Sequence, residues 1–455
     1  MEFLFTLFGV SALPWAVPVA RRGSLIGLAT LVLIVGMIAG PMFYALDLGV
    51  QLSLDRILLA LVGGVVLMRW RLGEFEISRP NRYDWALLAL AGWLLIRALP
   101  AAPSPGGESP VSRWLSFVAM PLAFYGIARL VPPTRRDLLL FLDLMIGLGI
   151  YLAATALLEV SGWHGLVFPR YIVDPAEWEF FGRGRGPFMN PVGNGIAMTA
   201  ALAATAGRWD ATGRPGRLGL IGIGLLIVAG IGCTLTRSVW IGMFLWAGIL
   251  GWGRCSRPVK ALGLAAVVLL AALLATGLKD ELLHLRRDQH LSAADAAKSV
   301  ELRPLLAIVA WEMFLDRPLA GHGYGGYEVA ARPYHTVRDH GLPLEQARPY
   351  IQHNVWLSLL VDSGMPGLGL CLVWLAGASA AAWPLAVGGR AGPGETGLGF
   401  VAIAVFTAYA VNGMFHDVGV IPMMNALLFW VAGLAISRRT DRLTSPPGHA
   451  GFASR

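Results

Sequence analysis

Charge is scarce in this chain. Only 14% of its 455 residues are charged against 56% hydrophobic, and the mean hydropathy is +0.62, which excludes a water-soluble surface. Cysteine is scarcer: Cys233, Cys255 and Cys371 lie in or beside apolar runs without metal-ligand spacing, which excludes a disulfide framework and indicates no zinc site. Lysine is almost absent, with Lys260, Lys279 and Lys298 beside 33 Arg among the 36 basic residues; a GC-rich genome explains the bias, and no function is attached to it. The first twenty residues lack a basic start before their apolar stretch, which argues against a cleaved signal peptide. No internal repeat relates the two halves, which weakens the case for a transporter built from inverted repeats.

What is present is a series of apolar runs, at 3–20, 24–46, 52–68, 85–101, 114–131, 138–161, 191–207, 218–235, 238–253, 261–278, 354–383, 397–414 and 419–436. A helical crossing needs roughly 20 apolar residues, so the chain reads as an all-α polytopic membrane protein of about 12–13 transmembrane helices. The run at 3–20, with Pro14 and Pro18, is the weakest of them. The net charge of +8 is spread in small groups between runs, which points to topology and away from nucleic acid. Basic content alternates: Arg21 and Arg22, then Arg56; Arg69, Arg71, Arg79 and Arg82, then Arg97 and Arg113; Arg129, Arg135 and Arg136 follow. The richer segments, which include Arg208, Arg214, Arg217, Arg254, Arg257, Lys260, Arg390, Arg438, Arg439 and Arg442, are expected in the cytoplasm.

The expected organisation is an N-terminal bundle over 1–278 with an extracytoplasmic loop at 162–190, a long extracytoplasmic loop over 279–352, C-terminal transmembrane helices over 353–436, and a disordered cytoplasmic tail over 437–455. A loop of that length in a compact bundle is usually functional. Within it, Pro304 opens and Pro318 closes a short helix, expected over 304–316, too short to cross and lying at the membrane surface or on the bundle.

Four outward places carry residues suited to chemistry. In Gly182–Pro187, Arg185 is either part of a basic surface turn or a planar fork for phosphate oxygens. Arg237, between two apolar runs, either snorkels to headgroups or meets an anion. Arg303 stands where a helix dipole does not favour a cation, so a role beyond a solvated helix start suits it better. His353, between Gln352 and Asn354, is either an interfacial histidine or a proton carrier near neutral pH. Gly321, Gly323 and Gly326 fit a GxGxxG pattern but follow no strand, so a dinucleotide site is discounted. His322, His335, His340 and His353 match no zinc spacing. Trp163, Trp178, Tyr324 and Tyr327 suit either an interfacial aromatic belt or sugar stacking.

Four local motifs together resemble the O-antigen ligase and O-antigen polymerase superfamily of bacterial inner-membrane proteins: RGPFMNP at 185–191, TRSVW at 236–240, RPLLAIVAWEMFLDRPLAGHGYGG at 303–326, and QHNVWLSLLVDSGMPG at 352–367. The resemblance implies a glycosyltransferase related to the C class of fold. It would take a glycan from undecaprenyl diphosphate at the periplasmic face and join it to a glycan or lipid A core acceptor, without cofactor or metal. O-antigen, capsule, lipopolysaccharide and exopolysaccharide products are all compatible with it. By the same resemblance Arg237 and Arg303 look like the arginines that hold the diphosphate; guanidinium chemistry adds Arg185 as a third candidate cation. His353 looks like the catalytic histidine, and Asn354, Asp362, His322 and Tyr324 are supporting candidates. Asp362 stands where many relatives carry Glu. The alternative reading is a polysaccharide-pathway transporter or flippase, with Asp55, Arg56 and Asp362 lining a pathway.

Overall fold

The computed structural model describes residues 18, 21–39, 45–47, 51–104, 107–177, 179–252, 256–258, 260, 293–337, 340–348, 350–389 and 391–444. The chain is an all-α polytopic membrane protein. Its described helices are α1 (Leu25–Ile38), α2 (Leu54–Arg71), α3 (Arg82–Ala98), α4 (Pro110–Leu130), α5 (Arg135–Val160), α6 (Pro191–Gly207), α7 (Arg214–Cys233), α8 (Arg237–Trp252), α9 (Ala293–Asp316), α10 (Val355–Val387), α11 (Pro393–Gly413) and α12 (Pro422–Thr444). Five of them, α4, α5, α7, α10 and α11, are long and apolar enough to cross a membrane. A two-stranded antiparallel ribbon pairs Ala45–Asp47 with Gln51–Ser53.

The apolar runs within the described residues coincide with helices, while those at 3–20 and 261–278 fall almost entirely outside them. Three boundaries differ from the sequence reading. The run at 24–46 yields a helix only to Ile38, because the ribbon takes over at Ala45. The last helix continues past 436 to Thr444, held by Arg438, which pairs with Glu395 and donates to the Pro133 carbonyl. The loop helix does not open at Pro304: α9 starts at Ala293 and carries Pro304 inside it. Its remaining turns are supported by a small core of their own, in which Leu305, Leu306, Val309 and Met313 pack with Leu344, Ala347 and Val361. Tertiary packing thereby outweighs the single backbone bond that an internal proline forfeits.

Charged groups collect at one end of the bundle. There Asp84 accepts both a Tyr125 hydroxyl and a bidentate Arg129 fork at 2.8 and 2.9 Å, Arg208 pairs with Asp143, and Arg69 reaches the Gly23 carbonyl. Helix starts at this end are capped reciprocally, by Asn81 with Asp84 and by Thr134 with Asp137. The middle of the bundle is built on small residues. All of α6 except Leu202 and Ala206 is buried, and a Cβ on Gly207 would lie 2.4 Å from the Gly397 Cα. Close backbone approach of this kind is how helices associate where lipid is as apolar as the side chains. The opposite end carries the loops 161–190 and 317–354 and the candidate functional residues.

Candidate functional site

The glycine–arginine stretch just before the first motif is joined to the start of the second by backbone and arginine. Arg183, 1% exposed, donates to the Thr234 carbonyl at 3.2 Å and to the Thr236 hydroxyl at 2.6 Å, and the Gly184 amide donates to the Cys233 carbonyl at 2.8 Å. This clasps the loop 182–186 to the turn from which α8 starts, and sets Arg237 as the first residue of that helix, on the exposed side.

Arg185 has a different partner set from the one expected. It is 1% exposed, and its guanidinium donates to the carbonyls of Ile172, Asp174, Glu177 and Glu179. A guanidinium has five N–H donors, and here they are directed into the chain's own loop. Desolvation holds its pKa below the ordinary arginine range, with Glu159 opposing the shift. The Glu159 carboxylate accepts from the amides of Arg185 and Gly186 at 3.2 and 3.0 Å. Arg185 thus builds the loop 170–186 instead of presenting a fork to a ligand.

The third and fourth motifs meet where α10 breaks. Gly364 takes φ 68° and ψ −172°, and Pro366 has no amide to return to the Asp362 carbonyl. Four of the groups at the break are satisfied from elsewhere. The His322 amide donates to Val361 at 2.8 Å, the Gly323 amide to Asp362 at 3.0 Å, and the Trp93 indole to Ser363 at 2.8 Å; the Met365 amide donates to Pro318 at 2.8 Å. A Cβ on Gly321 would meet the Val361 oxygen at 2.6 Å. The glycine-rich stretch is therefore a backbone dock for a broken helix, which is why it mimics a nucleotide motif without being one.

At the start of α10, Asn354 accepts from the amides of Trp356 and Leu357 at 2.9 and 3.1 Å and donates to the Met414 carbonyl at 3.1 Å. It caps one helix and straps it to the end of another, which positions the neighbouring His353. An Asn354→Ala variant is expected to lose about 1 kcal/mol of stability, checked by thermal unfolding in detergent. His353 is exposed. Partial desolvation and then the charge of Arg303 hold its pKa below the ordinary histidine value. The structure therefore puts Arg303 within electrostatic reach of His353 and favours a neutral imidazole there.

Arg237 lies at the same end of the bundle. Its helix packs on α11, with Gly242 against Ala408 and Asn412, and a Cβ on Gly413 at the end of α11 would touch Val355, two residues after His353. The other supporting residues have partners of their own. His322 Nε2 contacts the Met313 carbonyl at 2.7 Å, which ties the loop to α9, and burial lowers its pKa. Tyr324 and Asp362 line an internal cavity of about 110 Å³ together with Arg113 and Asp417. Asp362 accepts from the Gly325 amide at 3.0 Å. Burial pushes Asp417, in the turn after α11, up to about 6 against the pull of Arg113. Asp55 and Arg56 sit on α2, where Arg56 donates to Ser116 at 2.9 Å.

Arg183, Arg113 and Asp417 were not singled out as site residues from the sequence. Arg183 stands two positions before Arg185 in the same glycine–arginine repeat, so spacing alone does not rank the two. Arg113 was read only as a topology charge, and Asp417 lies in a short turn with no motif around it. Among the described residues no group of three or more His, Cys, Asp or Glu is arranged to hold a metal ion. Trp178 lies outside the described residues. Residues 222–372 match the family model described as O-Antigen ligase. That match supports the O-antigen ligase-like family and, in general, a ligase- or polymerase-like function. It covers the start of α8, the described part of the long loop and the break in α10. No curated protein matches the chain.

Proposed function

We propose that the protein transfers or polymerises a glycan, carried on undecaprenyl diphosphate, onto an acceptor sugar at the periplasmic face of a bacterial inner membrane. The observation that carries this reading is the neighbourhood of Arg303 and His353 at the junction of the long loop and the broken helix, inside the segment that matches the O-Antigen ligase family. In the proposed step the acceptor hydroxyl oxygen forms a bond to the anomeric carbon as the bond from that carbon to the diphosphate breaks. The pair of electrons leaves with undecaprenyl diphosphate, and the hydroxyl proton passes to His353. A single in-line attack inverts the anomeric configuration. Arg237 and Arg303 compensate the departing polyanion; guanidinium suits this because it stays charged and is less strongly hydrated than ammonium. Arg185 stands outside this clamp, since its donors are engaged in its own loop.

The pH dependence tests the pairing. A base must be neutral, so turnover is lost as pH falls through the His353 pKa, which lies below the ordinary histidine value near 6.5. The positive charge of Arg303 disfavours the imidazolium. Arg303→Gln therefore moves the acid limb of the residual activity to higher pH, read from initial rates between about pH 5 and pH 8. An acid limb that does not move would separate the two residues functionally.

A further inference from the structure

The cavity beside the loop is not used by the step above, and its lining is graded. Toward the loop end it presents Arg113, Tyr324, Asp362 and Asp417; deeper in the bundle it is walled by residues such as Leu90, Trp374 and Phe429. We propose, resting on the transferase reading, that this polar collar binds an uncharged sugar ring of the glycan substrate, separately from the diphosphate.

Three observations carry it. Asp362 is 5% exposed, one of its oxygens is held by the Gly325 amide, and the other, Oδ1, is buried without a hydrogen-bond partner. Leaving a buried polar oxygen in that state is costly, and a ligand hydroxyl lining up with it relieves the cost. The collar sets one guanidinium against two carboxyl groups, which leaves no surplus of cations for a diphosphate and offers oxygens suited to hydroxyl partners. Finally, two helix distortions converge on the cavity. One is the Gly364 break next to Asp362. The other is a π-helical turn in α4 at Leu115–Ala119, which begins two residues after Arg113. The Phe117 carbonyl in that turn accepts from Asn425 Nδ2 at 3.2 Å, and Asn425 also fixes Tyr409 and the Gly419 turn beside Asp417. Such turns appear frequently at functional sites, and an apolar pocket with a few convergent polar groups is the usual form of a small-molecule site.

The test uses the full-length protein in nanodiscs and saturation-transfer NMR with methyl glycosides of hexoses and N-acetylhexosamines. At least one glycoside is expected to bind the wild type, to bind Asp362→Asn and Asp417→Asn about tenfold or more weakly, and to bind Arg237→Ala as it binds the wild type. Inorganic pyrophosphate is expected not to displace it, a measurement on the wild type that decides the matter even where a variant does not fold. Absence of glycoside binding, equal binding to both Asn variants, or displacement by pyrophosphate overturns the proposal. An undecaprenyl-diphosphate-linked sugar that displaces the glycoside assigns the ring to the donor, and simultaneous binding assigns it to the acceptor; both support the site. Glycoside binding without any binding of undecaprenyl diphosphate overturns the transferase reading and leaves the collar standing.

Discussion

Replacing His353 by alanine is expected to reduce glycan transfer by about 10²- to 10⁴-fold while the amount of protein in the membrane stays normal. The residue is exposed and lies outside both packed cores, so its removal leaves no cavity and no buried partner unsatisfied. Its neutral state is favoured by its surroundings, which is the state a base needs. The measurement is transfer from a synthetic lipid-diphosphate glycan, with immunoblotting of the membrane fraction. Undiminished product from His353→Ala would remove the histidine from the mechanism. Arg237→Ala and Arg303→Ala are expected to fall by about 10²–10³ for a different reason, loss of a preorganised charge at the leaving group.

The largest structural effect is expected at Gly364. Its φ of 68° and ψ of −172° lie in a region that is essentially glycine-only, and holding another residue there costs about 1–3 kcal/mol. The added methyl of Gly364→Ala would also meet the Leu319 oxygen at 2.4 Å. Relief requires either a regular helix, which Pro366 resists, or detachment of the stretch 318–326 whose amides satisfy the break. Gly364→Ala is therefore expected to lower the folded yield severely and to expose the loop to protease. Gly369→Ala is the control: it lies five residues on in the same helix with open space around its Cβ position, and is expected to be neutral or slightly stabilising. Limited proteolysis of both variants checks the pair, and equal protection of the two would contradict the docked break.

The fold was legible where hydropathy carries the information. Apolar runs of nearly twenty residues leave few alternatives to helices, and small-residue segments such as 191–207 announce close packing. Boundaries set by tertiary contacts were not legible. Pro304 reads as a helix start by local rules, yet the packing of Leu305, Leu306 and Val309 on Leu344 and Ala347 carries the helix through it. The third and fourth motifs contain the residues that dock α10, while the clasp on α8 is made by Arg183 and Gly184, just before the first motif. The sequence did not rank the two neighbouring arginines: Arg185 has the stronger sequence case, and the structure directs its donors to carbonyls of residues 172–179, while Arg183 two positions earlier reaches the α8 turn. Groups that meet only through folding, such as Arg113, Asp362 and Asp417 from α4, α10 and a turn after α11, have no linear signature at all.

Ligase and polymerase use the same donor and differ in the acceptor. Deletion in the native host separates them: whole chains left unattached indicate a ligase, and single repeats in place of chains indicate a polymerase.

Titration of undecaprenyl diphosphate against the nanodisc-embedded protein tests the cation clamp most directly. Arg237→Ala and Arg303→Ala are each predicted to weaken binding by about tenfold or more, the scale of a lost hydrogen bond to a charged group, while His353→Ala binds as the wild type does. Wild-type affinity in both arginine variants would contradict the account.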